Sequence, residues 1–583
     1  MIQFKSRTLI DVMLQYMEHG DTPWGHGFFN PRTQTFDPLS NQQLTGLSFA
    51  FGHLLVENGV KPKELCLIVC ATPLTQLLAF YASLSIGAIP LLMPNPKALS
   101  GDDDLQQRIQ RWKNNLFSEK TSIIVDSQSR LWLSDLETEL PVIQLPEQPL
   151  EMDVMRQPAL EMYPHVDEIA YLQMTSASTG TGKAVAITHR NIISNVTSIH
   201  VNSNAGEEER ICSWLPLNHD MGLVGAELFS YYHHYPVLLM SPYDFLRRPH
   251  RWLEAISQYR CTLSPSPNFG YDYCYRMIPD ERVKDLDLSS WNIAYNGAEP
   301  IRAETIHNFY QKFHPIGLEK ETIIPVYGLA EATLAVTFSE PYTLPRFVIV
   351  NKSSLDFGRK AELVAEGIYD LEKEPPWIDL KLQTLAFSVG KPLPGVTVFI
   401  QHEEGEREQQ DLICGEIVVQ GDSIAYGTLT PETKEAKVFD QEVQTGDFGF
   451  MYQGNLYVVE RIKNMIIRHG ENYFANLLEK EIAEELGITE ERIAVFESDL
   501  YNSESDLIAL IEKDPVEIGH ELLHLKEKEL PITRYVFTKK RAIPRTSSGK
   551  KRHFLCRRLW QLNQLPVIQI YDVSRWKYDR KKV

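Results

Sequence analysis

Residues 167–191 read DEIAYLQMTSASTGTGKAVAITHRN, and the fold is read outward from this stretch. An apolar strand, IAYLQM, runs into a loop of small and hydroxylated residues, then Lys183, a second strand, AVAIT, and a helix start. Small residues let the main chain approach a polyphosphate closely, and its N–H groups and the hydroxyls of Thr175, Ser176, Ser178 and Thr179, beside Gly180, can donate hydrogen bonds. Lys183 adds a point charge. The string is not a Walker loop, because GxxxxGK[ST] is absent, nor a dinucleotide fingerprint, because GxGxxG fails after Gly182. Taken alone it also fits an ordinary Ser/Thr/Gly surface loop.

Around it, short apolar runs such as ELCLIV and TSIIVD alternate with amphipathic stretches such as LTGLSFAFGHLLVENGV, which is the rhythm of an α/β fold. Residues 65–96 carry no charge and would attract a membrane reading. Pro73, Gly87 and Pro90 punctuate that stretch, so it reads instead as a buried unit: LCLIV as strand, LLAFYASLSIG as helix, IPLLM as strand. No stable membrane span is expected. At 583 residues the chain exceeds one hydrophobic core, so two or more packed units are expected. Composition changes near residue 460: NYFANLLEKEIAEELG reads as helix, and ERIAVFES and DLIALIEK read as strands of a smaller α+β domain.

A balance of 58 Lys+Arg against 77 Asp+Glu, net −19, repels phosphate backbones and anionic surfaces, so nucleic acid is not an expected partner. Seven scattered cysteines without a CxxC pair suit reduced thiols. The first residues form an amphipathic pattern (Leu9, Val12, Met13, Tyr16) without a cleavage site, and a cytoplasmic location is expected.

Further strings recur along the chain: WLPLNHDMGLVG (214–225), NGAEP (296–300), VYGLAEAT (326–333), TGDFGF (445–450), ERIKN (460–464) and PRTSSGKKR (544–552). With the loop at 175–183, they resemble in type and order the motifs of the adenylate-forming superfamily of acyl-CoA synthetases, luciferases and peptide-synthetase adenylation domains. Within it, HDMGL, NGAEP and YGLAEAT look like those of fatty acyl-AMP ligases. The resemblance implies a large N-terminal multi-subdomain part (1–460), a hinge at 461–464 and a small mobile C-terminal domain (465–583). It also implies ATP and Mg2+ as cofactors, a fatty acid as substrate and a separate acyl carrier protein as acceptor. A polar stretch at about 345–385 looks inserted, since Glu331 and Gly390 lie 59 positions apart. In that family such a segment is thought to obstruct the route of CoA; a tolerated surface loop is the alternative.

Residue roles follow from the resemblance and from chemistry. Glu331 would hold Mg2+ against the triphosphate, since hard oxygen ligands suit that ion; a solvated carboxylate is the alternative. Tyr327 would face adenine, with Asn296, Gly297, Ala298 and Gly328 forming its slot, unless Tyr327 is a core residue. Asp447 would accept the ribose hydroxyls, unless TGD is only a turn. Arg461 would reach the ribose from the linker, or form an exposed ion pair. His219 would lie near the reacting carboxylate, or be packed; with Asp220 it also invites a metal reading. Lys550 would bridge the fatty carboxylate and the α-phosphate, two anions that must touch, unless it belongs to a solvated cluster with Lys551 and Arg552. The loop departs from the family pattern at Ala177, Gly182 and Ala184, and Asn464 stands where the hinge often has an aspartate. An acyl-CoA synthetase, a non-catalytic nucleotide-binding homologue, and an aryl or amino acid substrate remain rival readings.

Overall fold

The computed structural model describes residues 7–19, 25–94, 109, 120–133, 140–147, 150, 154, 157–160, 162–175, 183–206, 208–376, 378–379, 382–402, 407–408, 410–430, 436–468, 471–498, 505–514, 525, 530–545 and 551–573. The stretch quoted first supplies two neighbouring strands, Ile169–Met174 and Ala184–Thr188, of an eight-stranded sheet. The uncharged run supplies two more, Leu65–Val69 and Ile89–Leu92, joined by the helix Pro73–Leu84. Leu65, Leu67 and Val69 pack with Ile123 and Leu172 on one face, and Cys66, Ile68 and Cys70 with Leu78 and Tyr171 on the other. Burial on both faces explains a strand with no polar alternation. Thr72 caps the helix by accepting from Thr75 N, with Pro73 in its first turn. The helix stops at Leu84, three residues short of the run's end, because Gly87 turns the chain at φ 71°. No described helix is long and apolar enough to cross a membrane. All seven cysteines are buried and unpaired.

A second sheet runs Ser266–Pro267, Ala294–Gly297, Ile323–Gly328, Ala335–Phe338 and Lys391–Pro392, its first three strands parallel. A third places Glu442–Tyr452 beside Asn455–Arg461. The polar stretch at 345–385 is not a loose surface loop. It builds a three-stranded antiparallel sheet around Arg346–Asn351, with Val348 and Val350 buried against Phe448, Phe450 and Tyr457. Tyr369 packs edge-on to Phe387 at 5.1 Å and donates its hydroxyl to Ala303 O at 3.2 Å.

The small C-terminal domain is a four-stranded sheet in the order Ile493–Glu497, Leu507–Ile511, Arg534–Thr538, Val567–Asp572. Its residues alternate by period two: Ile493 and Val495 face Leu478 and Ile482 of the helix Ala475–Glu485, while Ala494 and Phe496 share a cluster with Cys556 of the helix His553–Gln561. Each helix thereby covers one face of the sheet.

Candidate active site

Thr175 and Lys183 close the neck of the phosphate-type loop: Thr175 N donates to Lys183 O at 2.9 Å, and Lys183 is exposed. Ser176, Ser178, Thr179 and Gly180, with Ala177 and Gly182, lie outside the described residues, as does Lys550. Ala184 opens a buried, extended strand and needs no positive φ. The helix His189–Ser203 that follows carries two asparagines toward the YGLAEAT segment. Asn191 Nδ2 donates to Asp422 O and Ile424 O. Asn195 is fully buried; its Nδ2 donates to Ala332 O and Ala335 O, and its Oδ1 accepts from Ala335 N. A side chain bonded at three points in the core holds the Glu331 turn, Ala330–Ala332, in place.

Asn296 is fully buried at the end of its strand, which runs parallel to the strand ending in Gly328. Gly297 and Gly328 are small for their own chain: a Cβ at Gly297 would meet Val326 O at 2.8 Å, and one at Gly328 would meet Leu334 O at 1.9 Å. Close backbone approach is thus one reason for glycine at both positions. Ala298 sits half-buried at φ 67°.

Tyr327 and Asp447 belong to one arrangement. Tyr327 is buried with Val336, Ile417 and Leu456, and its hydroxyl donates to Asp447 Oδ2 at 2.6 Å. Arg461 Nε lies 3.1 Å from Asp447 Oδ1, so both carboxylate oxygens have a partner. Burial, and then the Asp447 charge, push the Tyr327 phenol well above its usual range, so it remains a donor. TGD is not a free turn: Gly446, at φ 71°, lies in a register shift of the strand Glu442–Tyr452, and the bulge aims Asp447. Asp447 is buried, whereas the Arg461 side chain is half-exposed.

Glu331 is half-buried, and its carboxyl is pushed up, first by burial and also by the negative charges of Asp220 and Asp447, with Arg461 opposing. His219 Nδ1 lies 2.6 Å from Asp220 Oδ1. A Cβ at Gly225 would meet Leu334 Cδ2 at 2.9 Å, so the segment that follows HDMG lies against the chain just after the Glu331 turn. Gln173 Nε2 donates to Asn218 O at 2.7 Å, tying the HDMGL segment to the strand leading into the phosphate-type loop. Among the described residues no group of three or more His, Cys, Asp or Glu is placed to hold a metal by protein ligands alone. The metal reading of the HD pair thus finds no further ligands there.

Three residues escaped the sequence reading. Lys463 is pushed down to about 8, chiefly by burial and then by Arg461, while Asp447 and Glu331 act oppositely and Lys183 adds repulsion. Its side chain is nonetheless exposed to solvent, within electrostatic reach of Arg461, Asp447, Glu331 and Lys183, and nothing in ERIKN marks it out. Glu460 is buried and accepts from Arg461 N at 2.8 Å, Asn464 Nδ2 at 3.2 Å and Asn476 N at 3.1 Å, tying strand, turn and small-domain helix together. Glu227, in the π-helix Leu223–Leu228 after HDMG, is fully buried, 3.0 Å from His26 Nε2 and 2.8 Å from the Tyr81 hydroxyl. Periodicity alone hides it on an apolar helix.

Residues 32–429 match the family model described as AMP-binding enzyme. The chain belongs to the AMP-binding enzyme family. Among its relatives is the medium-chain-fatty-acid–[acyl-carrier-protein] ligase JamA of Moorena producens, 30% identical over 575 residues and 94% of each chain. The long-chain-fatty-acid–AMP ligase FadD26 of Mycobacterium tuberculosis is 29% identical over 93% of each. A structure from work on the fatty acyl-adenylate ligases of E. coli and L. pneumophila superposes with a TM-score of 0.82, at 28% identity. It covers 96% of this chain and 98% of its own. The match extends through the large and the small domain. A fatty acyl-adenylate ligase of L. pneumophila solved with acyl adenylate and pyrophosphate gives a TM-score of 0.70 at the same identity, covering 98% of this chain and 99% of its own.

Proposed function

We propose that this AMP-binding enzyme activates a medium- to long-chain fatty acid as its acyl-adenylate and passes the acyl group to the phosphopantetheine thiol of a separate acyl carrier protein. The observation that carries the reading is the buried Asp447 carboxylate held between Tyr327 and Arg461, in a chain similar over 94% of its length to a fatty acid–carrier protein ligase. A fatty carboxylate oxygen attacks the α-phosphorus of ATP and pyrophosphate leaves; the carrier thiol then attacks the acyl carbon and AMP leaves. In this reading Asp447, oriented by Tyr327 and Arg461, accepts the ribose hydroxyls. Lys183 and the hydroxyls of its loop take the phosphates, and His219 stands by the acyl carboxylate. Asn296, Gly297, Ala298, Tyr327 and Gly328 border the base.

Lys550 supplies the cation between the two anions. Glu331 would hold Mg2+: its desolvated carboxylate feels two like charges that a divalent ion would relieve. One carboxylate with phosphate oxygens and waters meets that ion's preference. When bound, Mg2+ neutralises phosphate charge in the displacement. The turn Ile462–Asn464, held through Glu460, serves as the pivot between half-reactions.

The test is direct. Purified protein with ATP, magnesium and a mixture of fatty acids should release pyrophosphate and yield acyl-adenylates identified by mass spectrometry. Holo acyl carrier protein should then be acylated much faster than CoA. Failure to release pyrophosphate from any acid would overturn the reading, and rapid acyl-CoA formation would replace its second half with CoA ligation.

A further inference from the structure

The turn Glu490–Arg492 of the small domain is held from two sides. On the large-domain side, Arg302 pairs with Glu491 and lies 3.1 Å from Glu490, and Arg276 stands 3.9 Å from Glu491. Arg302 follows NGAEP by two residues, and its backbone N donates to Asn268 Oδ1, which also accepts from Asn296. On the small-domain side, Arg545 donates to Glu491 O, and Lys551 donates to Glu490 O at 3.0 Å and Ile493 O at 2.8 Å. Lys551 also pairs with Glu479, which accepts from His553 at 2.6 Å and Val495 N at 2.9 Å. Arg545 and Lys551 are joined by an antiparallel bridge, and in sequence they are the two ends of the segment that carries Lys550. Lys551 is not part of a solvated basic cluster, since its ammonium is spent on this scaffold.

One short turn therefore links the strand that presents Asn296 to both ends of the Lys550 segment. The Glu490 and Glu491 side chains are 17% and 20% exposed, so the pairs are only partly screened by water. A guanidinium suits the task because its fork serves two carboxylates at once, which an ammonium cannot do in the same geometry.

We propose that Arg302 is a positioning residue for the adenylate-forming half-reaction: by gripping Glu490 and Glu491 it sets the small domain, and both ends of the Lys550 segment, against the nucleotide motifs. In the two-step reaction proposed above the small domain pivots away for acyl transfer, so the contact has no such duty there. The inference rests on the function proposed above.

The experiment separates the half-reactions in the full chain. Pyrophosphate release from ATP and fatty acid is followed in wild type, Arg302→Ala and Arg302→Lys, and transfer from synthetic acyl-adenylate to holo carrier protein is followed beside it. Loss of a preorganised positioning contact should slow adenylate formation in Arg302→Ala by about tenfold or more, in kcat rather than in the KM for ATP. Transfer should change by less than about twofold even where loss of the pair lowers the melting temperature, with Arg302→Lys in between. Raising salt from about 0.05 to about 0.5 M should slow adenylate formation in wild type more than in Arg302→Ala. Equal losses in both half-reactions, or unchanged adenylate formation in Arg302→Ala, would overturn the positioning role. A wild type that releases no pyrophosphate would count against the function itself, and an active wild type matched by Arg302→Ala against the latch alone.

Discussion

Two sets of glutamates, one in each domain, stand in opposite electrostatic situations. In the large domain, Glu331 is desolvated among like charges, and its carboxyl is pushed up by burial with Asp220 and Asp447 nearby. In the small domain and at the seam, burial opposes ionisation of Glu479 and Glu491 too, yet Lys551 and His553 hold the first, and Arg302 the second, down at about 2. Among the described residues no cation pairs directly with Glu331, although Arg461 opposes its shift, whereas the chain has supplied the second site with paired cations. A carboxylate left short of cations costs stability and is suited to a ligand that brings charge, whereas a neutralised one holds structure.

The sharpest way to break that contrast is Glu331→Gln, which removes the charge and keeps the shape. Pyrophosphate release should fall roughly 100- to 1000-fold, the range for losing one electrostatic participant. The same variant should melt at a higher temperature than wild type at neutral pH, because a raised folded-state pKa means the ionised form is disfavoured by folding. A variant that keeps its activity, or melts lower, would place Glu331 with the structural carboxylates.

Glu479→Gln probes the opposite case. Lys551 would keep its ammonium in a site only 12% exposed without its counter-charge. Breaking such a pair should cost about 3 kcal/mol, read from urea unfolding of the small domain. A cost within about 0.5 kcal/mol, the range for indifferent surface positions, would show that the pair is not structural.

Across the neutral range the smallest effect is expected from pH. Glu479 and Glu491 lie at about 2 in the folded chain against an ordinary 4.5, so the stability they contribute is complete above 4.5 and is lost as pH falls toward 2. Urea midpoints should be level through neutral pH and decline across that window, with a shallower decline in Glu479→Gln. A decline already complete above pH 5 would point to other groups.

Much of this arrangement is legible in the chain as written. A strand buried on both faces shows as LCLIV, the small-domain strands show in their period-two alternation, and the nucleotide motifs are short contiguous strings whose residue types suit phosphate, ribose and metal chemistry. The polar stretch at 345–385 hid its strands, because Asp370, Glu372, Lys373 and Glu374 lie in the connection between strands while Val348 and Val350 of the strand Arg346–Asn351 are buried. At Gly297 and Gly328 smallness also answers to neighbouring backbone, which a linear reading does not show.

Order, residue type and local periodicity belong to the sequence, and they were enough to determine the fold class, the domain succession and which side chains have the right chemistry. Which of those side chains face a partner was decided by tertiary structure alone. Glu331 in YGLAEAT and Glu479 in NYFANLLEKEIAEELG are the same residue type in the sequence, and Arg302 lies 189 positions from Glu491. Ion pairing and desolvation depend on separations of a few ångströms and on exclusion of water. Both quantities come into being only when distant segments pack.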